Sequence, residues 1–500
     1  MALAKGISMS ELELKFQVPK EVLASLQREL KRRGARSTPM LARYFDTPDG
    51  DLDRHGLSLR LRREGGEWVQ TLKAEGASAV DRLEHNAPLS ASTGLPPELD
   101  MARHQGTEAG AALEEALADA RVPELLERYV TDVMRLACEL RPGGAEVEAA
   151  LDLGTIRANG RAMPICELGL EHKSGDSHAL FSLATVWSEH GGLWLNTLSK
   201  SRRGTALANG HEHGPPLKAS DTRIEPGMDG SRILRTVLQQ VLRQVLGNAS
   251  EVAFGSTDAD HVHQMRVGLR RLRTALRELG PLAEGVDPGW EAPMAEAFSR
   301  LGTVRDSEVV AEAVRPLLEQ AEAPKLKWSA PAEDVDVGAL ARDPRLQGTL
   351  LAILAFASGE PPADASALAA KQAREHVCAR LSKLHRQVVK GGQRFEELAA
   401  VDQHKVRKRL KRLRYLAEFV QALWPTKATR RYLRQLGPGQ DALGAHNDVA
   451  VALEQFREDA HKDPRALFAA GYLQAHLATT AREAHAALKK LAETPRFWKE

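Results

Sequence analysis

The sequence has 500 residues, of which 43% are hydrophobic and 27% are charged. This composition is ordinary for a globular protein that folds in water, and it excludes a collagen-like, wholly disordered or membrane-embedded chain. At roughly 100–200 residues per domain, we expect about two to four domains. Lys and Arg total 69 against 67 Asp and Glu, a formal net charge of +2, so any preference for polyanions must come from local segregation of charge.

The cysteines and the N-terminal residues bear on the compartment. Cys138, Cys166 and Cys378 are widely scattered and form no C-x-x-C pair, which favours neither a disulfide framework nor a thiolate zinc site. Residues 1–15 contain no apolar stretch of signal-peptide length, and the longest apolar run, at 350–357, is too short to span a bilayer. We therefore expect a cytoplasmic protein in a reducing compartment, with no membrane partner.

The first half of the chain alternates short period-two segments with amphipathic segments of helical period. The helices are predicted at about 20–33, 110–120 and 178–190. The alternation of charged and apolar residues predicts strands at 11–16, 58–62, 68–73, 130–140, 146–153 and 165–173. Up to about residue 204 the sequence therefore predicts an α+β domain.

The second half has a different period. Residues 205–230 are rich in Gly, Pro and small polar residues, which predicts an exposed linker and a domain boundary. Beyond it, apolar residues recur at spacings of three and four, and no convincing strand is evident, so this half is predicted to be all-α. Segments at about 321–345 and 361–366 break the helical pattern and are predicted to be loops.

Two basic segments of the helical half, HQMRVGLRRLR (263–273) and HKVRKRLKRLR (404–414), align without a gap, which indicates an internal duplication. In a helix, offsets of 0, 3, 7 and 10 fall in one stripe, so each copy should place a histidine and three cations on one face. The two predicted stripes are His263, Arg266, Arg270 and Arg273, and His404, Arg407, Lys411 and Arg414.

Two explanations of these stripes remain open. Neither segment contains an acidic residue, so its cations should repel one another and an anionic ligand would relieve that repulsion. Alternatively, the stripes are solvated, or they pair with acids of other helices such as Asp306 and Asp448. The two histidines could be neutral donors to phosphate, pH-tuned cations or packed helix residues.

Charged residues also alternate along the strands of the first half. In the opening strand, Glu11, Glu13 and Lys15 point to one side, and later strands repeat the pattern. One explanation is an open antiparallel sheet with its polar face in water. The other is a closed sheet with the charged face inside, which would gather carboxylates for Mg²⁺ or Mn²⁺ and cations for phosphate oxygens around one lumen. Such a site would support metal-assisted phosphoanhydride hydrolysis without a protein nucleophile.

The segment ELELK at 11–15 resembles the E-x-E-x-K signature of CYTH domains, which are members of the triphosphate tunnel metalloenzymes. The first half is similar to this family over about residues 5–205. Further motifs match in order: YFDT at 44–47, LRLR at 59–62, TLK at 71–73, Arg82 to Glu84, ALDLG at 150–154 and SK-x-x-RG at 199–204. The resemblance implies an eight-stranded antiparallel β-tunnel with flanking helices, which hydrolyses a triphosphate with Mg²⁺ or Mn²⁺.

The same resemblance implies roles for individual residues. Glu11, Glu13 and Lys15 would be catalytic, with Lys15 assisting the leaving or attacking oxygen. Metal would be held by carboxylates from Glu11, Glu13, Glu84, Glu148, Asp152, Glu167 and Glu171. Phosphates would be bound by Lys15, Arg60, Arg62, Lys73, Arg82, Arg135, Lys200 and Arg203. In CELGLEHKSG the family tends to place glutamates at three alternating positions, whereas here the middle one is Gly169, so one metal ligand is missing from the pattern.

The helical half resembles the CHAD domain over about residues 228–495. The closest stretch is His404–Tyr415, and LGTVRD at 301–306 and LGAHND at 443–448 match the segments that follow each basic helix in that family. The resemblance implies an α-helical duplication, built from a repeated helical-bundle unit, that binds inorganic polyphosphate.

Together these observations predict a CYTH-like domain at 1–205, a linker at 206–227 and a CHAD-like domain at 228–500. The expected function is a metal-dependent inorganic triphosphatase acting on tripolyphosphate or short polyphosphate, with polyphosphate captured by the second domain. Two rivals are a noncatalytic polyphosphate-binding scaffold, and a triphosphatase for nucleoside, thiamine or RNA triphosphates. Nucleic acid is not an expected partner, because aromatic residues, on which single-stranded bases usually stack, make up only 5% of the chain. Phosphate chain length, Mg²⁺ against Mn²⁺, and homo-oligomerisation are left open.

Overall fold

The computed structural model describes residues 10–64, 66–75, 81–89, 96–324, 335–359 and 367–499, without the side chains of residues 10–11, 75, 81–83, 190–191 and 303–309. The chain divides into two compact units. The first comprises Met1–Lys218, Leu242–Met265 and Val337–Glu360, and the second comprises Ala219–Val241, Arg266–Asp336 and Pro361–Glu500. The chain leaves the first unit at Lys218, inside the segment that the sequence predicts to be a linker.

The described part of the first unit contains one antiparallel sheet. Its strands are β1 (Ser10–Gln17), β2 (Arg36–Asp46), β3 (Leu57–Glu64), β4 (Glu67–Glu75), β5 (Asp81–Leu89), β6 (Leu126–Leu140), β7 (Glu146–Ala158), β8 (Arg161–Ser174) and β9 (Trp194–Leu195). The strand order is β5-β4-β3-β2-β6-β7-β8-β1-β9, and a further pairing of β5 with β1 closes the first eight strands into a ring. This confirms the eight-stranded antiparallel tunnel and the closed alternative for the charged strand faces.

In the described residues up to Ala208, the sheet is accompanied by the helices α1 (Lys20–Arg32), α2 (Asp51–Arg54), α3 (Glu108–Ala118), α4 (His178–Gly191) and α5 (Lys200–Ala208). The outer face of β3 and β4 is apolar, and Leu59 and Leu72 pack there in one cluster with Leu113 of α3. Because side chains alternate along a strand, burying the leucines outside turns the charged residues of the same strands to the interior. The packing of this apolar cluster therefore determines which side chains of β3 and β4 line the inside of the tunnel.

Beyond the sheet the described chain is helical, which confirms the all-α prediction for the second half. The helices are α6 (Gly230–Ala253), α7 (Ala259–Leu279), α8 (Glu291–Gln320), α9 (Val337–Ala341), α10 (Pro344–Ser358), α11 (Ala370–Gln393), α12 (Ala400–Val420), α13 (Lys427–Asp459) and α14 (Ala466–Ala492). The predicted loop at 321–345 includes α9 and the start of α10, while its residues 325–334 and the predicted loop at 361–366 lie outside the described residues.

The two copies of the basic repeat fall on α7 and α12, and the segments that follow them fall on α8 and α13. Each basic helix buries an apolar side: Leu269 and Leu272 of α7, and Leu410 and Leu413 of α12, are almost fully buried. This packing turns the histidines and cations of each helix toward another side, as a 3.6-residue period requires. None of the helices within the described ranges is long and apolar enough to cross a membrane.

Candidate functional site

Three carboxylates form a row across neighbouring strands of the tunnel. Glu13 of β1 is register-paired with Glu171 of β8, and Glu171 is paired with Glu148 of β7. Directly paired residues of antiparallel strands project to the same face with Cβ atoms about 4.5–5.5 Å apart. We call Glu13, Glu148 and Glu171 the acidic row. Lys15, two residues further along β1, forms an ion pair with Glu13, with 3.0 Å between Nζ and Oε2.

Cations line the strands on the other side of the ring. Arg60 Nη1 donates to Tyr44 Oη at 3.3 Å, and Lys73 forms an ion pair with Glu84 of the neighbouring strand. The Nε atoms of Arg60 and Arg62 are buried without a hydrogen-bond partner among the described residues. Since buried donors are normally paired, these two N–H groups are suited to an anionic oxygen.

A buried ion network lies where α5 meets the strands. Arg135 makes a two-pronged pair with Asp152, both distances being 2.8 Å. Lys200 Nζ lies 2.8 Å from Asp152 Oδ2 and also contacts Glu167, and Arg203 Nη2 lies 2.6 Å from Glu167 Oε2. Helix α5 begins after Ser199, whose hydroxyl accepts from the backbone N–H of Arg202. These five charged residues are the ion network, and two of its cations come from the SK-x-x-RG motif.

The ion network keeps its charges at neutral pH. Burial alone would raise the pKa of Asp152, but Lys200 and Arg135 bring that pKa well below its usual range. Burial likewise opposes ionisation of Glu167, and Lys200 and Arg203 nevertheless lower its pKa. For Lys200, burial acts to lower the pKa, but the charges of Asp152 and Glu167 raise it above the usual value. The network therefore presents fixed cations beside fixed carboxylates.

The close approach of α5 to the sheet depends on a glycine. A Cβ at Gly204 would lie 2.2 Å from Cε2 of Tyr129, which no side chain could occupy without moving that ring. Tyr129 stacks on Tyr44 with ring centroids 4.6 Å apart and donates to Ser201 Oγ at 3.0 Å. Neither tyrosine was singled out from the sequence, although Tyr44 lies in the YFDT motif and its place in the strand alternation puts it on the inner face.

The proposed metal ligands fit a hard divalent cation by their chemistry, since carboxylate oxygens are preferred by Mg²⁺ and Mn²⁺. Among the residues that the structure describes, no three Asp, Glu, His or Cys side chains already form a metal-binding group. Asp152 and Glu167 are occupied by the cations of the ion network. Glu13 and Glu171 are also paired, each with one lysine of its own strand, but both are partly exposed and neither belongs to the buried ion network. The ligand assignments stay predictions.

Three predicted residues need separate mention. Glu11 and Arg82 are paired in register between β1 and β5, which puts them on the same face, but their side chains lie outside the described part of the chain. Gly169 faces Lys15 in register, and a Cβ there would lie 3.1 Å from Glu13 Oε1. A side chain at position 169 would thus enter the tunnel beside the acidic row, at the position where the family pattern has its middle glutamate.

The two basic stripes of the helical half meet in one place. Burial, together with the nearby charges of Arg270 on α7, Arg407 and Arg266, lowers the pKa of Lys411 on α12 to about 7, while Asp448 acts in the opposite direction. Charge effects of this kind act over short distances, so the arginines of α7 that contribute to the shift lie near Lys411 and Arg407 of α12. We call Arg266, Arg270, Arg407 and Lys411 the basic cluster. The sequence predicted two stripes but not their convergence.

An aromatic ring supports the α7 side of this cluster. The guanidinium carbons of Arg266, Arg270 and Arg273 lie 5.0, 4.8 and 5.8 Å from the centre of the Phe298 ring. Cations within about 6 Å of a ring face are attracted to it, so the ring partly offsets their mutual repulsion. Phe298 lies on α8 and carried no signal in the sequence.

The last cation of each stripe is paired with an acidic residue, as expected if the stripes are neutralised by acids of the protein rather than by a ligand. Arg273 pairs with Glu291 at 2.6 Å, and Arg414 pairs with Glu418 at 2.8 Å. His404 Nδ1 lies 3.1 Å from Asn447 Oδ1, and burial lowers the pKa of the ring, which favours its neutral form. His263 is partly buried on α7, and the side chain of Asp306 is not described. The polyphosphate-binding assignments of all eight stripe residues stay predictions.

Comparisons with known proteins agree with this division. The family model for the CYTH domain matches residues 9–205, and that for the CHAD domain matches residues 236–457. The chain is 26% identical over 213 residues to an inorganic triphosphatase of Haemophilus influenzae, a match that covers 41% of this chain and 57% of that protein. It is 27% identical over 489 residues to an uncharacterised Mycobacterium tuberculosis protein, covering 91% of this chain and 90% of that one.

Among solved structures, the chain is similar to the CHAD domain from the plant Ricinus communis. The TM-score is 0.45 and the sequence identity is 27%, and the match covers 57% of this chain and 98% of that one.

Proposed function

We propose that this chain, which consists of a CYTH domain followed by a CHAD domain, is a metal-dependent triphosphatase. The substrate would be inorganic triphosphate or short polyphosphate, hydrolysed inside the tunnel. The observation that carries the proposal is the closed ring of strands whose inner face combines the acidic row with buried cations from other strands and α5. A triphosphate needs both, because its charge must be neutralised while its reacting oxygens are oriented.

The side chains of the tunnel have separable tasks in this proposal. Arg60 and Arg62 would donate their buried Nε groups to phosphate oxygens, and Lys73 would add a third charge. Lys15, held beside Glu13, would stabilise or protonate the leaving oxygen. The acidic row would hold Mg²⁺ or Mn²⁺, which supplies charge neutralisation and orients the attacking water when bound. Enclosure by the strands would exclude bulk water and strengthen each of these electrostatic interactions.

The basic cluster would bind polyphosphate. Its four cations come from two helices of the duplicated half, and a phosphate chain would screen their mutual repulsion. A chain captured there would raise the effective concentration of phosphate near a site on the same polypeptide. The name of the Haemophilus relative supports triphosphate as the substrate class, although the matched region spans less than two thirds of that protein.

A noncatalytic polyphosphate scaffold is the second candidate. It is favoured by Gly169, which leaves β8 without the middle glutamate of the family pattern, and by the pairing of Asp152 and Glu167 with cations. A scaffold would bind tripolyphosphate without turnover, whereas the enzyme would release orthophosphate.

The test compares substrates under one metal condition. Orthophosphate release is measured from tripolyphosphate, ATP, thiamine triphosphate and RNA with a 5′-triphosphate, each with Mg²⁺ and with Mn²⁺. The proposal expects the highest kcat/KM for tripolyphosphate and a loss of about 10²-fold or more in the Glu13→Gln variant. Faster hydrolysis of an organic triphosphate would move the assignment to that substrate. Binding without release from any of the four would favour the scaffold.

A further inference from the structure

The short segment from β9 to α5 is hydrogen-bonded to β1, the strand that carries Glu13 and Lys15. The backbone N–H of Asn196 donates to the carbonyl of Lys15 at 2.8 Å, and the two residues of β9 pair with Phe16 and Gln17. Four residues later the same segment enters α5, which carries Lys200 and Arg203. Any element that fixes this segment therefore also fixes one end of β1 and two cations of the tunnel.

Two helices beyond the CYTH match hold that segment, and the contacts lie within the first compact unit. The side-chain oxygen of Gln347 on α10 accepts from the backbone N–H of Leu195 at 2.8 Å. Ser250 Oγ on α6 accepts from the backbone N–H of Thr197 at 3.1 Å. Both side chains are almost completely buried. A buried backbone N–H needs an acceptor from the protein, and these two side chains supply it.

Phe254, which follows α6, contacts the segment at two points. Its ring meets the Trp194 ring edge-on, with centroids 4.8 Å apart, and the Arg203 guanidinium carbon lies 5.6 Å from the Phe254 centroid. Arg203 is only 5% exposed, and its Nη2 donates to Glu167 at 2.6 Å. The guanidinium is thus oriented by a carboxylate and by an aromatic ring.

The remaining N–H groups of Arg203 point to a ligand. Its Nε and Nη1 atoms are buried and have no hydrogen-bond partner among the described residues. Leaving a charged donor buried and unpaired is unfavourable, and an anionic oxygen would satisfy it. Because guanidinium donors are fixed in a plane, the orientation set by Glu167 and Phe254 decides where these groups aim.

We infer that Phe254 is a positioning residue for the triphosphate site: a ring from outside the CYTH match aims Arg203 at the bound anion. The inference rests on the proposed function of the tunnel. It means that the part of the chain matched by the CHAD model contributes to phosphate binding in the tunnel, in addition to any polyphosphate site of its own.

The experiment compares full-length variants by calorimetric titration with tripolyphosphate in metal-free buffer, and by steady-state kinetics with Mg²⁺. Phe254→Leu should weaken binding and raise KM by roughly tenfold with little change in kcat, because the loss concerns anion binding. Phe254→Tyr keeps the aromatic face and should restore affinity to within about twofold of the wild type. Phe468→Leu makes the same change on an exposed ring of α14 and should have no effect.

Arg203→Ala serves as the reference for loss of the cation itself. If it binds tripolyphosphate weakly while Phe254→Leu binds like the wild type, the positioning role is refuted and the proposed function survives. If the wild type binds no tripolyphosphate, both fall together. If Phe254→Leu does not fold, Phe254→Met, which keeps the apolar bulk without the aromatic face, takes its place. Separately, Ser250→Ala removes the hydroxyl that accepts from Thr197 N–H and contacts Thr197 Oγ1. It should raise KM, and unchanged binding would overturn the claim that these helices support the site.

Discussion

The tunnel and the basic cluster both concentrate cations, but they treat charge in opposite ways. In the tunnel the cations are interleaved with carboxylates, and Lys200, in contact with Asp152 and Glu167, has a raised pKa. In the basic cluster Lys411 is partly buried beside arginines of both helices, with Asp448 acting in the opposite direction, and its pKa is lowered to about 7. A mixed-charge site can hold a metal together with phosphate, whereas a site in which cations predominate is suited to the anion alone. The predictions below test this contrast.

The largest effect is expected from removing a carboxylate of the ion network. Glu167→Gln leaves the buried Arg203 without its carboxylate partner and Lys200 with Asp152 alone, which should lower the free energy of unfolding by about 3–5 kcal/mol. Urea-induced unfolding at pH 7 measures this change. As a matched control, Glu171→Gln removes a partly exposed carboxylate of the same strand, and its cost should stay below about 1 kcal/mol. Equal costs would mean that the buried network is not specially coupled.

Removing a cation from the basic cluster should change the free energy of unfolding in the opposite direction, that is, stabilise the protein. Lys411→Met relieves the repulsion from Arg270 and Arg407 and retains the aliphatic stem, so it should raise the free energy of unfolding by about 1–3 kcal/mol at pH 7. Affinity for long polyphosphate should fall in the same variant. A destabilised Lys411→Met protein would show that the cluster is held by pairings rather than strained by repulsion.

The two regions should also differ in their dependence on pH. Bound phosphate favours the protonated amine, so polyphosphate binding should raise the pKa of Lys411 from about 7 and take up a proton. Affinity should then fall as pH rises from about 7 to 9, by up to tenfold per unit. Lys411→Arg, titrated with the same ligand, cancels the ligand's own protonation and should lack the extra slope. An identical slope in both proteins would contradict this assignment.

In the tunnel, the lowered pKa values of the buried carboxylates predict that the ion network loses its stabilising contribution in acid. The pKa values of Asp152 and Glu167 are lowered, so their stabilising contribution is complete above the ordinary carboxylate pKa and is lost as pH falls through the lowered values. Lys200 has a raised pKa, and its contribution is lost only as pH rises above that value. The network should therefore remain intact between about pH 6 and 9.

The smallest effect concerns the acidic row. Gly169→Glu introduces a carboxylate beside Glu13, whose flexible tip can move by the few tenths of an ångström that the new Cβ requires. We expect the Mg²⁺ or Mn²⁺ concentration for half-maximal activity to fall by about 3- to 10-fold, because one more hard oxygen ligand is available. Gly169→Gln adds similar volume without the charge and should not reproduce the change. Weaker metal dependence in Gly169→Glu would place the metal elsewhere.

Sequence periodicity predicted many of the elements, while the closed eight-stranded tunnel was implied by the resemblance to the CYTH family. The two-residue alternation placed β1, β3, β4, β6, β7 and β8, and the duplicated basic motif placed α7 and α12. Strand β2, apart from its YFDT motif, was not among the predicted segments, because Arg36 to Pro39 lack the alternation and proline is unusual within a strand. Local patterns report which residues share a face, so the inner face of the tunnel was predictable.

Tertiary contacts were beyond the reach of those patterns. The ion network depends on the register that pairs Arg135 with Asp152 and on the docking of α5. The convergence of the two stripes and the contact of Phe254 with Arg203 join residues that are far apart in the sequence. Nothing in the local spacing of these residues specifies such contacts, because they arise from how whole elements pack.

Metal-dependent release of orthophosphate from tripolyphosphate by the Arg62→Ala variant tests the central claim most directly. Arg62 lies on the inner face of β3 with its Nε buried, whereas Arg457, the control, is an exposed residue of α13 paired with Glu454. If the enclosed charged face is the triphosphatase site, Arg62→Ala should lower kcat/KM by about 10²-fold or more while Arg457→Ala matches the wild type. Equal rates in all three proteins, or no release by any of them, would contradict the assignment.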